Sequence, residues 1–315
     1  MHVLFISEKW CDANPACGKT NSEHNLWGSL DATGLATYDC FFYDEYYRSR
    51  NQRIDPITLR NLVVSKKPDL IIMTYLIRSH TNIEFPTLSF LYQSGIPIIF
   101  IWFDFVNHEV CKMAKILSNF TVATVVLDVA EHSVFANPKF IPMWTPQDPR
   151  IFNNPNIERD IDISFAGSVL SYTDRLAALT LMKKSGIPVY QNGGQRECKL
   201  TVQEYAKIHQ RSKMSINFCK SVEGYVQIKG RVFEALLCGS MLLESRNKHT
   251  DKYLIPMKDY VPFDNEVDLV EKARYYLEHE NERLEIAKNG CEKATNQYNA
   301  KNFWLKLFAK VCLTK

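Results

Sequence analysis

No hydrophobic run in this 315-residue sequence is long enough to cross a bilayer. The longest, LIIMTYLI and IPIIFIWF, are about half the length a membrane span needs. The chain also has little net charge. Thirty-eight Lys and Arg against thirty-five Asp and Glu leave +3, too small a balance to imply a polyanion, so nucleic acid is not an expected partner. The start, MHVLFISEKW, has no basic n-region, no long apolar core and no small-residue cleavage site, so it is not expected to be a secretory signal. The nine cysteines have no framework spacing, so a disulfide scaffold is not expected and free thiols in a reducing cytoplasm are. Cys11, Cys17 and His24 lack a recurrent metal spacing and a fourth ligand, so no metal site is assigned. There is no internal repeat and no low-complexity tract.

The remaining composition, 46% hydrophobic and 23% charged, is that of a globular chain long enough for two domains. In the first half, strand-like runs at Val3–Ser7, Tyr38–Tyr43, Leu70–Tyr75, Ile98–Phe103 and Val122–Leu127 alternate with helical patterns at Asn21–Ala32, Pro56–Val64, Thr87–Gln93 and Glu109–Leu117. That alternation predicts a parallel, doubly wound sheet, which places ligands at the carboxyl ends of its strands. Ile141–Pro149 has three prolines in nine residues and reads as an interdomain linker. The second half restarts the pattern: strands at Ile161–Ala166, Pro188–Gln191, Met214–Phe218 and Tyr260–Phe263, helices at Tyr172–Lys184 and Val202–Arg211, then two further helices. Ser171 and Asp174 have the spacing of a capping box. The expected division is 1–143, 144–298 and a closing amphipathic helix over 299–315.

The stretch that organises the second half is QIKGRVFEALLCGSMLLES, Gln227 to Ser245. Val232, Phe233, Leu236 and Leu237 share one helical face, Gly239 stops the helix, and Met241–Leu243 form a buried strand. Lys229 and Arg231 stand at the start of that helix, the wrong end for cations unless an anion binds there. Glu234, one turn on, is placed to accept hydrogen bonds from ribose hydroxyls. The bland alternative is a solvated cluster in which Glu234 is the ion-pair partner of Lys229 and Arg231.

KGRVFEALLCGSMLLE resembles the donor-site helix of group-1 glycosyltransferases of the GT-B fold, and is most similar to the spore-maturation-type (CgeB-like) branch. DIDISFAGS with Arg175 resembles the first strand and loop of that family's C-terminal domain. EVDLVEKARYYLEHENERLEIAKNG resembles its two closing helices. The resemblance spans roughly 140–310. It implies an α/β GT-B protein with two Rossmann-like doubly wound domains and a cleft between them, the closing helix crossing back to the first. It also implies a sugar transferred without metal from a nucleoside-diphosphate donor, UDP or GDP type, to a hydroxyl of a glycan, lipid-linked glycan or other acceptor. Gly167, Ser168, Arg175, Lys229 and Arg231 are then expected to hold the diphosphate. Glu234, with Asn192 and Gly193, is expected to hold ribose and base. Glu223, Gly224 and Tyr225 precede the donor helix in a loop expected to approach the sugar, and Glu244, closing the following strand, is expected to reach the same pocket. The broader family carries two glutamates seven residues apart; the first falls at Val226 here, which weakens the usual argument for a retaining outcome.

The first half is expected to bind the acceptor. Glu23 and His24, which open the first helix after the long loop, and Asp104, which ends the fourth strand with His108 four residues on, are candidate bases. Their bland readings are a packed histidine and a helix cap. The loop Glu8–Ser22 is a candidate acceptor lid. Two other functions fit the same pocket: a nucleotide-sugar 2-epimerase and a non-catalytic nucleotide-sugar-binding protein. A cytoplasmic location is expected, with peripheral membrane contact through Phe303, Trp304 and Phe308 weighed against simple packing.

Overall fold

The computed structural model describes residues 1–170, 172–192 and 200–312. Ser171, Gly193 and Gly194 lie outside them. The chain forms two compact units, Met1–Asp148 with Ala300–Lys315, and Pro149–Asn299.

The first unit follows the strand–helix alternation. Its strands are β1 (His2–Ser7), β2 (Thr37–Phe42), β3 (Leu70–Met73), β4 (Ile98–Trp102), β5 (Ala123–Val126) and β6 (Phe140–Pro142). They form one parallel sheet in the order β2-β1-β3-β4-β5-β6. The β-branched and aromatic runs VLFI, LIIM and IIFIW are buried throughout, as strands covered on both faces require. The expected first helix is in fact a wide π-type turn, Glu23–Trp27, running into α1 (Gly28–Thr33).

Two elements of this unit were not foreseen. Helix α2 (Tyr43–Arg50) starts directly at the end of β2; its sequence YDEYYRSR has no apolar stripe to announce it. Strand β6 occupies the beginning of the proline-rich segment read as a linker, and Trp144, Thr145, Gln147 and Asp148 beyond it are still buried. Proline is tolerated there because β6 is an edge strand. Helices α3 (Pro56–Lys66), α4 (Phe85–Tyr92) and α5 (His108–Leu117) complete the layers. Asp55 caps α3 and Asn107 caps α5, each accepting two backbone N–H groups.

The second unit has β7 (Ile161–Ala166), α6 (Thr173–Lys184), β8 (Tyr190–Asn192), α7 (Val202–Arg211), β9 (Ser212–Asn217), α8 (Gly230–Leu237), β10 (Met241–Ser245), β11 (Val261–Phe263), α9 (Glu266–Glu278) and α10 (Glu280–Gln297). Its five strands are parallel in the order β11-β10-β9-β7-β8. Strand order therefore reverses between β7 and β9, the switch point at which open α/β sheets bind ligands. The first sheet reverses between β1 and β3 in the same way. Helix α7 begins with a full capping box, Thr201 and Glu204 each bonding the other's backbone N–H or hydroxyl. Gly239 has φ +75° where α8 turns into β10, and a Cβ there would lie 2.5 Å from Asn154 Nδ2. Beside it, Arg159 donates to the carbonyls of Cys238, His209 and Ser212, closing the ends of α8 and α7.

The last helix, α11 (Ala300–Cys312), belongs to the first unit. Trp304 is fully buried, packs edge-on to Phe5 of β1 and donates its indole N–H to Ser29 Oγ at 3.0 Å. Phe303 meets Trp144 edge-on at 5.9 Å. No helix among the described residues is long and apolar enough to cross a membrane.

Truncating Trp304 to Ala should cost the first unit about 3–5 kcal/mol, by lost burial plus cavity. Trp304→Phe, which loses the hydrogen bond but keeps most of the ring, should cost about 1–3 kcal/mol. Urea unfolding followed by circular dichroism measures both.

Candidate functional site

In the second unit the carboxyl ends of β7 and β9 converge on two arginines. Strand β7 buries Phe165 and ends at Ala166, and the chain leaves through Gly167 and Ser168. The N–H of Gly167 donates to the carbonyl of Asn192 at the end of β8, 2.8 Å. Helix α6 then carries Arg175 back over the strand end. Its guanidinium donates to the carbonyls of Ser168 (2.9 Å) and Lys220 (3.1 Å) and lies 3.4 Å from the centre of the Tyr172 ring. From the other side Arg231, in the first turn of α8, donates Nη1 to Asn217 Oδ1 at 2.7 Å.

Both guanidinium carbons stand over the face of Phe165, Arg231 at 5.2 Å and Arg175 at 6.0 Å from the ring centre. The two cations are thus neighbours. Burial first, and then the charge of Arg231, lowers the affinity of Arg175 for its proton. Among the described residues neither guanidinium has a carboxylate within ion-pair distance, and the Nε of each is buried with no acceptor. Buried donors normally find partners. Two like charges and two unmet buried donors thus meet at the switch point of the sheet.

Gly167 is required by this crowding. A Cβ at that position would sit 2.5 Å from Arg231 Nη2 and 3.3 Å from the Phe165 ring.

Glu234 lies on the same helix as Arg231 and is buried. It accepts the Tyr205 hydroxyl at 2.6 Å, and that hydroxyl also feels Arg231. Lys229 is the N-cap of α8, extended at φ −90°, ψ 150°, a residue type with no acceptor to cap the first N–H groups. Asn192 closes β8 at the rim, with its side chain near the Tyr190 hydroxyl. Gly193, its expected companion, is outside the described residues. Glu223, Gly224 and Tyr225 form an exposed turn bridged by Lys220 and Val226.

Glu244 behaves differently from the sequence expectation. It does not reach toward a pocket but is completely buried in β10. Its Oε2 accepts Asn217 Nδ2 at 2.6 Å and its Oε1 accepts Thr250 Oγ1 at 3.3 Å. Burial pushes its carboxyl up to about 7, opposed by hydrogen bonds from Asn217, Asn247 and Thr250 and by Arg231. Beneath α7 and α8 lies a second buried polar group. His209 Nδ1 meets Ser215 Oγ at 2.9 Å, Ser215 meets Ser240 at 2.8 Å, and Ser212 donates to Ser164 at 2.8 Å. Burial pushes His209 down to about 3.

The three base candidates of the first unit are not brought together as one cluster. Glu23 forms an ion pair with Lys19 at 2.6 Å. His24 is pushed down to about 4 by desolvation, with Asp148 opposing, so it is neutral at pH 7. Asp104 is exposed in a turn at φ 54°, where its carbonyl accepts the N–H of Asn107. The cap of α5 is Asn107, so the helix-cap reading of Asp104 does not hold.

A carboxylate the sequence reasoning passed over stands at the switch point itself. Glu8, directly after β1, accepts the hydroxyls of Tyr43 (2.7 Å), Thr74 (2.7 Å) and Thr20 (3.0 Å). The signal was available: an acidic residue one position beyond the first strand of a parallel sheet. Asp44, buried at the start of α2, accepts the N–H groups of Lys9 and Trp10 at 2.9 and 3.0 Å and ties down the loop that follows. Nearby, a cavity of about 620 Å³ is lined by Asp12, Tyr47, Arg48, Arg78 and His80 among others. Four residues on its wall, Asp12, Ala13, Asn51 and Arg78, have φ between 52° and 61°, a cluster of left-handed non-glycine backbone of the kind that collects at functional sites.

Residues 158–309 match the family model described as glycosyl transferase-like. No curated protein matches the chain in sequence. Solved structures do match in fold. The Anabaena protein HepE in complex with UDP superposes with a TM-score of 0.64 at 10% identity, covering 99% of this chain and all of that one. A glycosyltransferase from Rickettsia africae gives 0.63 at 7% identity, over 98% and 97% of the two chains. Sucrose-phosphate synthase from Thermosynechococcus elongatus gives 0.62 at 11% identity over the whole of both. At these identities the likeness establishes the fold: two parallel-sheet Rossmann-like units, as in GT-B glycosyltransferases.

Two outcomes follow from this geometry. Gly167→Ala should displace Arg231 and weaken binding of inorganic diphosphate at this site about tenfold, the worth of one charge-assisted hydrogen bond. Its unliganded melting point should barely move, because the clashing atom is the end of a flexible side chain; isothermal titration and thermal melting check the pair. The second concerns pH. The carboxyl of Glu244 is raised in the fold, so its contribution is present below its unfolded value and is lost as pH climbs from about 4.5 through about 7. His24 is depressed, so its contribution is present above about 6.5 and is lost as pH falls toward about 4. Urea midpoints across pH 4–9 should show Glu244→Gln flattening the loss as pH rises from about 4.5 to about 7, and His24→Gln flattening the loss as pH falls from about 6.5 to about 4.

Proposed function

We propose that this chain is a glycosyltransferase that moves a sugar from a nucleoside-diphosphate donor, of UDP or GDP type, to a hydroxyl of a glycan or lipid-linked glycan. The observation that carries the reading is the pair Arg175 and Arg231 on one face of Phe165, at the switch point of a sheet whose residues match a glycosyl transferase-like family. In this reading the pair, with Lys229, Ser168 and the backbone at Gly167, holds the diphosphate. Glu234 holds the ribose, and Asn192 and Gly193 stand near the base. A departing diphosphate carries growing negative charge as the glycosidic bond breaks. Two fixed guanidinium groups in a low-dielectric site stabilise that charge without reorganising. This is the part a metal ion plays elsewhere, and it supports a metal-independent reaction.

The acceptor is assigned to the first unit, at the carboxyl ends of β1 and β3, where Glu8 and the cavity beside Arg48, Arg78 and His80 lie. Asp104, exposed just after β4, is assigned to take the acceptor proton, with Glu23 and His24 as the other base candidates. The narrower family reading, the spore-maturation-type branch, rests on the QIKGR segment before α8. A cytoplasmic setting fits the seven free cysteines among the described residues.

A thermal-shift panel of UDP-, GDP-, dTDP- and CMP-sugars in EDTA tests the donor site. A saturating UDP- or GDP-sugar should raise the melting temperature of the wild type by roughly 3 °C or more, and Arg231→Ala should remove the response. A panel with no shift at millimolar concentration counts against the reading.

A further inference from the structure

We infer that Glu244 is a positioning residue for the donor site, holding Arg231 in place through Asn217. The inference rests on the reading of Arg231 as a diphosphate ligand.

The register of the second sheet sets Asn217 of β9 directly opposite Glu244 of β10. Both are completely buried. Arg231 approaches from α8 and meets the same asparagine. A guanidinium can only donate, so it must face the Asn217 carbonyl oxygen. The amide nitrogen is then turned to Glu244, and Glu244 Oε2 receives it at 2.6 Å. Thr250 occupies the other carboxyl oxygen. Every polar atom of the Asn217 side chain facing these neighbours is matched in one orientation only. The carboxyl group thus fixes which end of the amide Arg231 sees.

Such a tether is needed because Arg231 is pushed by its neighbour. Arg175 stands over the same ring and carries the same charge. Arg175 is pinned by two backbone carbonyls. Asn217 gives Arg231 a neutral side-chain acceptor, and Glu244 gives that acceptor its direction. With an apolar residue at 244, the amide nitrogen of Asn217 loses its acceptor in a dry site. The amide is then free to turn over and present N–H to the guanidinium, which repels it. Gln at 244 keeps an acceptor for Asn217 and a donor for Thr250, so it preserves the arrangement without the charge.

The test is titration of UDP and GDP by calorimetry in EDTA against wild type, Arg231→Ala, Asn217→Ala, Glu244→Gln, Glu244→Leu and the double variant Arg231→Ala/Glu244→Leu. Ligand-free melting is recorded for each. Arg231→Ala, Asn217→Ala and Glu244→Leu should each weaken binding about tenfold or more, and Glu244→Gln by no more than about threefold. Adding Glu244→Leu to Arg231→Ala should cost nothing further, because residues acting through one group are non-additive. If Glu244→Leu does not fold, Asn217→Ala in the Arg231→Ala background completes the cycle. Normal binding by Asn217→Ala and Glu244→Leu while Arg231→Ala is weak overturns the inference and leaves the donor site standing. So do additive losses in the double variant, or a Gln variant as weak as the Leu one. Normal binding by Arg231→Ala, or no binding of either nucleotide by the wild type, removes the donor-site reading and this inference with it.

Discussion

Two positive charges held side by side, with no carboxylate in ion-pair contact among the described residues, are the constraint on which the second unit turns. Arg175 and Arg231 repel each other in a partly dry site, yet both are kept over Phe165. Each surrounding feature serves that arrangement. Strand β7 delivers the ring, the carbonyls of Ser168 and Lys220 fix one guanidinium, and Asn217 fixes the other. Gly167 is bare because the second guanidinium fills the space a side chain would take. A diphosphate entering such a place would relieve the repulsion and satisfy the open donors together, which is how binding and charge stabilisation come from the same atoms.

The first unit solves a different problem at its own switch point. There the polar end of β1 is organised around one carboxylate, Glu8, with the hydroxyls of Ser7, Thr20, Tyr43 and Thr74 turned toward it. The loop beyond is held by Asp44, whose two oxygens take consecutive backbone N–H groups. Ordered loop, backbone strain and cationic wall lie together around one cavity. Helix α11 closes this unit by burying Trp304 against β1, so the aromatics of the last helix are packing residues.

Much of this was legible from residue types in order. Alternating apolar runs and helical patterns gave the parallel sheets, because a strand buried on both faces has no room for polar residues. Cations at the start of α6 and α8 were conspicuous because the helix dipole opposes them. Misreadings came where local pattern and tertiary demand part company. Helix α2 has too little apolar content to be seen, and is fixed instead by Tyr43 and Asp44 anchoring its first turn. Strand β6 was hidden by a proline that an edge position tolerates. Glu244 looked like a pocket residue because a charge at a strand end usually is one.

What the sequence determined alone was which residues could be inside, where the chain turns, and that Arg175 and Arg231 need an anion or an unusual setting. Those follow from hydrophobicity, backbone freedom and the dipole of a helix, all local properties. Only the tertiary structure decided that the two arginines share one ring, that Glu244 faces Asn217 rather than solvent, and that Glu8 gathers the hydroxyls of Thr20, Tyr43 and Thr74. These depend on strand order and register, which bring residues dozens of positions apart to within a hydrogen bond, and no local rule carries that information.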